Sequence, residues 1–307
     1  MTISELRERQ AWTLEQKIDH AVGTIEAFIA KTGKTPYISF SGGKDSTVLL
    51  DICRRFVDKD MKAVFCNTGN EYPEIVNFVK TFDNVTIIRP ETSIKKVIEN
   101  YGFPLISKVQ AQAIRQIKTT KSEKLRNIRL YGAAPEKGFK DGKLSDKWKF
   151  LLKEQFNISE QCCDLLKKKP FKKYEKETGE IPILGVMADN GKKREDVYIM
   201  RGGCNSFINK SSWPLAIWTD KDIWAYIKKL SIPYCELYDK GHTRTGCMVC
   251  GFGVHLEKQN RFEPLYDYHK NIYLALLKLE NNGITYREAL RKVGVWLPDE
   301  IRQLKLF

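Results

Sequence analysis

No apolar run in this chain approaches the roughly 20 residues that a membrane-crossing helix needs. The longest, near Ile181 to Ala188, is far too short, and no membrane partner is expected. The first residues are charged (Glu5, Arg7, Glu8, Arg9) and lack the apolar core of a secretory signal, so the expected location is cytoplasmic. Acids are scarce against bases: 38 Asp and Glu stand against 52 Lys and Arg, a formal net charge of +14. That surplus favours anionic partners such as nucleotides, nucleic acid or sulfate esters, although a solvated basic surface gives the same number. Internal repeats and clear linkers are absent, and no cysteine follows Cys250. What is abundant excludes disorder. Of the 307 residues 42% are hydrophobic and 11% aromatic, enough to bury a core in one large or two small domains. Eight cysteines in an expected reducing compartment point to metal or redox chemistry rather than to disulfides.

The most informative stretch is Phe40-Ser41-Gly42-Gly43-Lys44-Asp45-Ser46. Tyr37 to Ser41 reads as a short buried strand. Thr47 to Val57 reads as a helix, with Val48, Leu49, Ile52 and Phe56 on its apolar side. Two glycines between them let the backbone turn tightly, and the helix start offers unpaired N–H groups and the positive end of a dipole. This is a seat for phosphate, and Lys44 adds a full charge. It lacks the spacing of the Walker pattern.

Around it the chain alternates. An amphipathic helix carries Leu14, Ile18, Ala21, Val22, Ile25, Phe28 and Ile29 and ends at Gly33 and Pro36. Further strands read at Ala63 to Asn67, Val85 to Ile88 and Ile181 to Val186. Strands separated by helices predict an α/β fold with a doubly wound, mostly parallel sheet, its ligands beyond the carboxyl ends of the strands. Both the Ser41 loop and the turn Thr68 to Glu74 fall at such ends. Lys108 to Arg129 reads as one basic helix and Gly132 to Ser145 as a loop. Lys167, Lys168, Lys169, Lys172, Lys173 and Lys176 form a second basic run. Either run is a solvated face or a nucleic-acid groove. Trp213 to Leu230 predicts a loop and then a helix capped at Thr219 or Asp220. A helical tail, Glu263 to Leu306, is interrupted at Gly283 and Pro298. The expected domains are an α/β domain over 1–260 and a helical C-terminal extension over 261–307.

Cys162 and Cys163 are adjacent, and Cys247 and Cys250 follow far downstream with two residues between them. Four such ligands suit zinc or an iron–sulfur cluster. Neighbouring cysteines diverge, which is awkward for one tetrahedral zinc and easier for a cluster with separated iron atoms. Zinc stays as the alternative.

Ser-Gly-Gly-Lys-Asp-Ser between a strand and a helix resembles the PP-loop of the ATP pyrophosphatase superfamily (adenine nucleotide alpha hydrolase-like), which cleaves ATP between its α and β phosphates. That resemblance implies that Ser41, Gly42, Gly43, Lys44, Asp45 and Ser46 hold the pyrophosphate of ATP, or the equivalent part of adenylylsulfate. It makes Lys44 and Asp45 the catalytic candidates, Asp45 orienting Lys44 or holding Mg²⁺. The cysteine arrangement is similar to that of the iron–sulfur adenylylsulfate reductases, where it holds a 4Fe-4S cluster. Lys167 and Pro170 sit where that family has a lysine near its cluster and a following proline. The segments Asn67 to Glu74, Trp213 to Trp224 and Gly246 to Cys250 resemble the phosphoadenylylsulfate reductase family. Arg194, beside Lys192 and Lys193, matches an arginine of that family's substrate loop, and a guanidinium suits sulfate or phosphate.

Two departures shape the functional expectation. The reductases end in a short cysteine-bearing segment whose thiol attacks sulfur, and here the chain closes without one. Their loop is commonly degenerate, and here it is intact, as in members that use ATP. The leading expectation is therefore an ATP-dependent sulfur-transfer enzyme, resembling DNA phosphorothioation proteins and, less closely, tRNA thiolation enzymes. Its partners would be an adenine nucleotide, DNA or tRNA, and a sulfur donor such as a cysteine desulfurase or thioredoxin. The first alternative is an assimilatory reductase forming sulfite from an adenylylated sulfate, with Cys204 or Cys235 as its nucleophile. The second is a nucleotide-binding scaffold subunit without catalysis.

Overall fold

The computed structural model describes residues 1–133, 142–257 and 259–304. Among the described residues ten strands run in chain order: β1 (Pro36–Phe40), β2 (Ala63–Cys66), β3 (Val85–Ile88), β4 (Leu105–Ile106), β5 (Ile181–Leu184), β6 (Asn205–Ser206), β7 (Ser211–Ser212), β8 (Gly251–Phe252), β9 (Glu280–Asn281) and β10 (Ile284–Thr285). The chain folds as two units. The first is Met1–Asn67, Tyr72–Arg89 and Pro170–Thr245; the second is Thr68–Glu71, Pro90–Lys169 and Gly246–Phe307.

The first unit holds a six-stranded sheet in the order β3-β2-β1-β5-β7-β6. Every pairing is parallel except β6 with β7. The central strands carry near-continuous apolar sequence, as strands covered on both faces do: Tyr37, Ile38, Phe40, Ala63, Val64 and Phe65 are all buried. β3 lies at the edge, and its Thr86 and Ile87 are exposed. The mostly parallel α/β architecture follows the expectation. The helix Leu14–Thr32 begins with a capping box between Thr13 and Gln16 and ends on Gly33, whose φ of +58° an L side chain rarely adopts. The helix Lys44–Phe56 buries Val48, Leu49, Ile52 and Cys53 at helical spacing. Asp220–Leu230 is capped by Thr219 through a box with Asp222.

Some boundaries differ from those read in the sequence, for local reasons. The helix after β1 begins at Lys44, not Thr47, because Gly43 takes the extended N-cap conformation. The single basic helix expected over Lys108 to Arg129 is two, Lys108–Thr119 and Glu123–Tyr131. Ser122 caps the second, accepting from the Leu125 amide, and such a side-chain acceptor competes with helix continuation. Most of the loop expected over Gly132 to Ser145, and the end of the tail at Leu306, lie outside the described residues.

The second unit pairs β4 with β8 in parallel and β9 with β10 in a tight hairpin. The described residues of the expected separate extension over 261–307, up to 304, fall in this unit with the described part of residues 90–169. Side chains explain it. The Asn281 amide donates to the carbonyls of Ile98 (2.8 Å) and Glu99 (3.0 Å), and its oxygen accepts from the Asn157 amide (2.8 Å). Tyr286, fully buried, donates to the Val249 carbonyl at 2.7 Å. A buried amide or phenol satisfied in this way is costly to undock.

Candidate functional site

β1 feeds the Ser41–Ser46 loop, and β5, beside it in the sheet, ends at Leu184 before Gly185. The strand order reverses direction between β1 and β5, the switch point at which open α/β sheets bind ligands beyond their carboxyl ends. The loop is tightly self-bonded. Ser46 Oγ donates to the Gly43 carbonyl (2.9 Å) and accepts from the Ser41 amide (3.1 Å), and Thr47 Oγ1 donates to the same carbonyl (3.1 Å). Gly42 sits at φ +70°, and a Cβ there would stand 2.9 Å from Val79 Cγ2. A Cβ on Gly185 would meet the Asp45 carbonyl at 3.1 Å. The glycines thus let the helix start, the strand end and the turn close on one another. The Lys44 amide, in the helix's first turn, is satisfied from outside the helix, donating to Tyr238 Oη at 2.9 Å.

A cavity of about 660 Å³ opens over this loop, within the range of small-molecule sites. Its charges are arranged unevenly. The Lys44 ammonium is nearly buried and pairs with Asp45 (2.9 Å) and Asp220 (2.6 Å). Desolvation works against its charge, but Asp220 and Asp45 win and hold its pKa above the ordinary lysine value. Arg194 and Arg244 also line the cavity and have no carboxylate partner among the described residues. Partial desolvation and then the neighbouring Arg244 charge push the Arg194 pKa down, with Asp45 acting the other way. Two unpaired guanidiniums beside helix-start amides make an anion seat.

In the second unit Cys162, Cys163, Cys247 and Cys250 line one small cavity with Lys167. All four thiols are free. The residues before them are anchored by Arg115, which grips Glu160 through Nη2 (2.6 Å) and Nε (3.1 Å). This basic residue of the Lys108 helix therefore orders the cysteine segment and does not face solvent as a free charge. After Cys163 the helix widens into a π-turn, Asp164–Lys168, a distortion frequent at functional sites. It carries Lys167, whose ammonium lies 3.5 Å from Glu71. Loss of hydration opposes the Lys167 charge, but Cys247 and Glu71 raise its pKa. Within the Cys162–Cys163 pair, the hydrogen bond between the two thiols pulls Cys163 below the ordinary thiol value and pushes Cys162 above it, with Lys108 and Lys167 assisting Cys163 against desolvation. Burial pushes Cys247 and Cys250 up.

A donor set of four thiols is soft, as iron–sulfur clusters and zinc require, and in that respect the residues fit either group. Among the described residues no three His, Cys, Asp or Glu side chains form a group ready for a single metal ion. Neither zinc nor a 4Fe-4S cluster at the thiols, nor Mg²⁺ at the loop carboxylates, has a preformed seat among them.

The sequence-derived site residues thus fall into two sets. Ser41, Gly43, Lys44, Asp45, Ser46 and Arg194 line the loop cavity; Gly42 shapes its turn; Lys167 belongs with the four cysteines. Cys204 and Cys235, the candidate nucleophiles, are buried. Cys204 shares a 3.6 Å contact with Tyr198 Oη, and burial raises both thiols. Neither lines the cavity over the loop. Sequence reading missed Asp220, Tyr238 and Arg244. Asp220 stood inside a quoted segment, and Arg244 directly precedes Thr245-Gly246-Cys247, so position beside a motif was the available signal.

The phosphoadenosine phosphosulfate reductase domain family matches residues 35–128 and 108–251. The chain belongs to this family, a reductase-like branch of the PP-loop superfamily. Among its relatives, an uncharacterized protein of Methanocaldococcus jannaschii is 24% identical over 286 residues, covering 90% of this chain and 48% of the relative. The adenosine 5'-phosphosulfate reductase of Geobacillus kaustophilus is 26% identical over 248 residues, 80% of this chain and 85% of that one. The chain spans about half the length of the archaeal relatives it matches. A phosphoadenylyl-sulfate reductase structure from Candida auris, in a phosphate complex, aligns over 80% of this chain and 96% of its own, with 14% identity and a TM-score of 0.41. No described helix is long and apolar enough to cross a membrane.

Proposed function

We propose that the chain is a PP-loop enzyme that binds ATP over the Ser41–Ser46 loop, cleaves it between the α and β phosphates and adenylates an acceptor oxygen for replacement by sulfur. The observation that carries this reading is the loop itself: intact, at the sheet's switch point, under a cavity lined by Lys44, Arg194 and Arg244. The acceptor oxygen attacks the α phosphorus, the α–β bridge breaks, and pyrophosphate leaves with the bond's electron pair. Lys44 and the loop amides stabilise the charge gathering on pyrophosphate. Asp45 orients Lys44. Sulfide-level sulfur from a separate donor then attacks the atom that bears the adenylated oxygen, and AMP leaves with that oxygen and the bond's electron pair.

Cys162, Cys163, Cys247 and Cys250 would hold a 4Fe-4S cluster in the second unit, with Lys167 and Lys108 as flanking cations. A bound cluster would supply electrons or an iron site for sulfur. The basic runs favour a polyanionic acceptor, DNA or tRNA. In the test, anaerobically prepared protein is incubated with ATP and nucleic acid and pyrophosphate is measured. Stoichiometric or catalytic release supports the reading, and no release with any candidate acceptor overturns it.

A second reading, reduction of an adenylylated sulfate, draws support from the relatives named as reductases. It needs a nucleophilic thiol, and the burial of Cys204 and Cys235 weighs against either. Sulfite formation from adenylylsulfate with thioredoxin, lost in Cys204→Ser, would favour it.

A further inference from the structure

The strongest point charge in the phosphate loop is already occupied. Lys44 Nζ lies 2.6 Å from Asp220 Oδ1 and 2.9 Å from Asp45 Oδ1. The two carboxylates are held differently. Asp45 neighbours Lys44 in the first turn of the same helix, and Asn190 donates to it at 3.3 Å. Asp220 comes from another helix, as its first residue, and its side chain is 56% exposed where that of Lys44 is 6%. Among the described residues no other side chain holds the Asp220 carboxylate, and its backbone amide donates to Asp189 Oδ2 at 3.3 Å. A rotation of one exposed side chain would free Lys44 of Asp220, leaving Asp45 as its one carboxylate partner, without moving the backbone. The three cations of the cavity, Lys44, Arg194 and Arg244, face three carboxylates, Asp45, Asp189 and Asp220. An incoming phosphate therefore meets a charge-balanced wall and must compete for the lysine.

We propose that Asp220 is an affinity-setting residue of the phosphate site: a built-in anion that occupies Lys44 and must be displaced before a pyrophosphate group can engage it. This inference rests on the ATP reading and deepens it. When a ligand needs a state populated to only a fraction of the molecules, its apparent affinity falls by that fraction. The factor applies equally to every ligand that uses Lys44 and leaves others alone. Pyrophosphate and ATP should be weakened alike, and adenosine, which brings no anion, should be untouched.

The test is titration calorimetry on the whole chain with sodium pyrophosphate, ATP and adenosine. Asp220→Asn keeps the shape and removes the charge; Asp220→Glu keeps the charge. The expected result is pyrophosphate and ATP binding about five- to tenfold tighter to Asp220→Asn, unchanged adenosine binding, and an Asp220→Glu variant like the wild type. Asp220 is also an acid in the first turn of its helix, so the Asn variant should melt slightly earlier while binding phosphate better. A general structural role would not move the two in opposite directions. Unchanged or weaker pyrophosphate binding in Asp220→Asn, beside clear binding by the wild type, overturns this inference and leaves the ATP reading standing. If neither protein binds pyrophosphate or ATP, both fall together.

Discussion

The phosphate loop and the cysteine cavity are built by opposite means. The loop is one contiguous stretch of chain. Its donors are backbone amides, its shape depends on glycines, and its charges are cancelled in place by Asp45 and Asp220. The cysteine cavity draws on segments far apart in sequence. Its donors are side chains, and each segment is anchored separately: Glu160 by Arg115, Asn70 by the Met248 amide at 2.9 Å, Val249 by Tyr286. The difference teaches where each site should fail. A phosphate seat made of backbone is sensitive to a single added carbon. A thiol seat made of remote segments should be sensitive to the loss of any one thiol and tolerant of backbone detail.

The largest expected effect separates the two sites outright. Lys44→Ala should lower pyrophosphate release by about 100-fold or more, the size of losing one transition-state donor, while leaving metal content unchanged. Release at the wild-type rate would remove Lys44 from the mechanism. Next, Cys162→Ala or Cys247→Ala in anaerobic protein should abolish iron and sulfide content and the brown visible absorption, whereas Cys204→Ala should leave them intact. Metal analysis finding zinc alone in the wild type would refute the cluster.

A smaller effect tests the backbone claim. Gly42→Ala should cost about 1–2 kcal/mol in denaturant unfolding, because an L residue is disfavoured at its positive φ, and the Val79 clash adds to that. ATP binding should weaken with it. Equal stability and affinity would show that the turn relaxes freely.

The smallest effect concerns pH. The Lys44 pKa is raised in the folded state, so the stability its ion pairs contribute is fully present below the unfolded lysine value. It is lost only as pH rises through the higher folded value. Lys44 therefore keeps its charge between pH 6 and pH 9, about one unit or more below its onset of titration. Pyrophosphate affinity across that range should follow the ligand's own ionisation, falling below about pH 6 as phosphate protonates. A loss of affinity between pH 8 and 9 would place Lys44 elsewhere.

How much was legible in the sequence follows the same division. Ser41 to Ser46 could be read because a strand, a Gly-Gly turn and a helix start are local events. The sheet followed from alternating apolar strands and helices. Asp220 and Arg244 were not legible as site residues because only the packing of separate elements sets them on the loop. The break at Thr120 to Ser122 was missed because helical periodicity continues through it while one serine cap does not show in periodicity. The hairpin of β9 and β10 hid inside a helical tail because two-residue strands carry no repeat. Asn281, at its turn, ties residues 261–304 to the second unit through buried backbone partners that no sequence window contains.

The proposed function stands or falls on the Ser41–Ser46 loop being a pyrophosphate seat for ATP. Competition binding tests it most directly: labelled ATP is bound to the whole chain and displaced with sodium pyrophosphate, in wild type and in Lys44→Ala. The wild type should bind ATP saturably and release it fully to pyrophosphate, and Lys44→Ala should bind it weakly or not at all. ATP that binds equally well to both proteins, or that pyrophosphate fails to displace, would contradict the proposed seat.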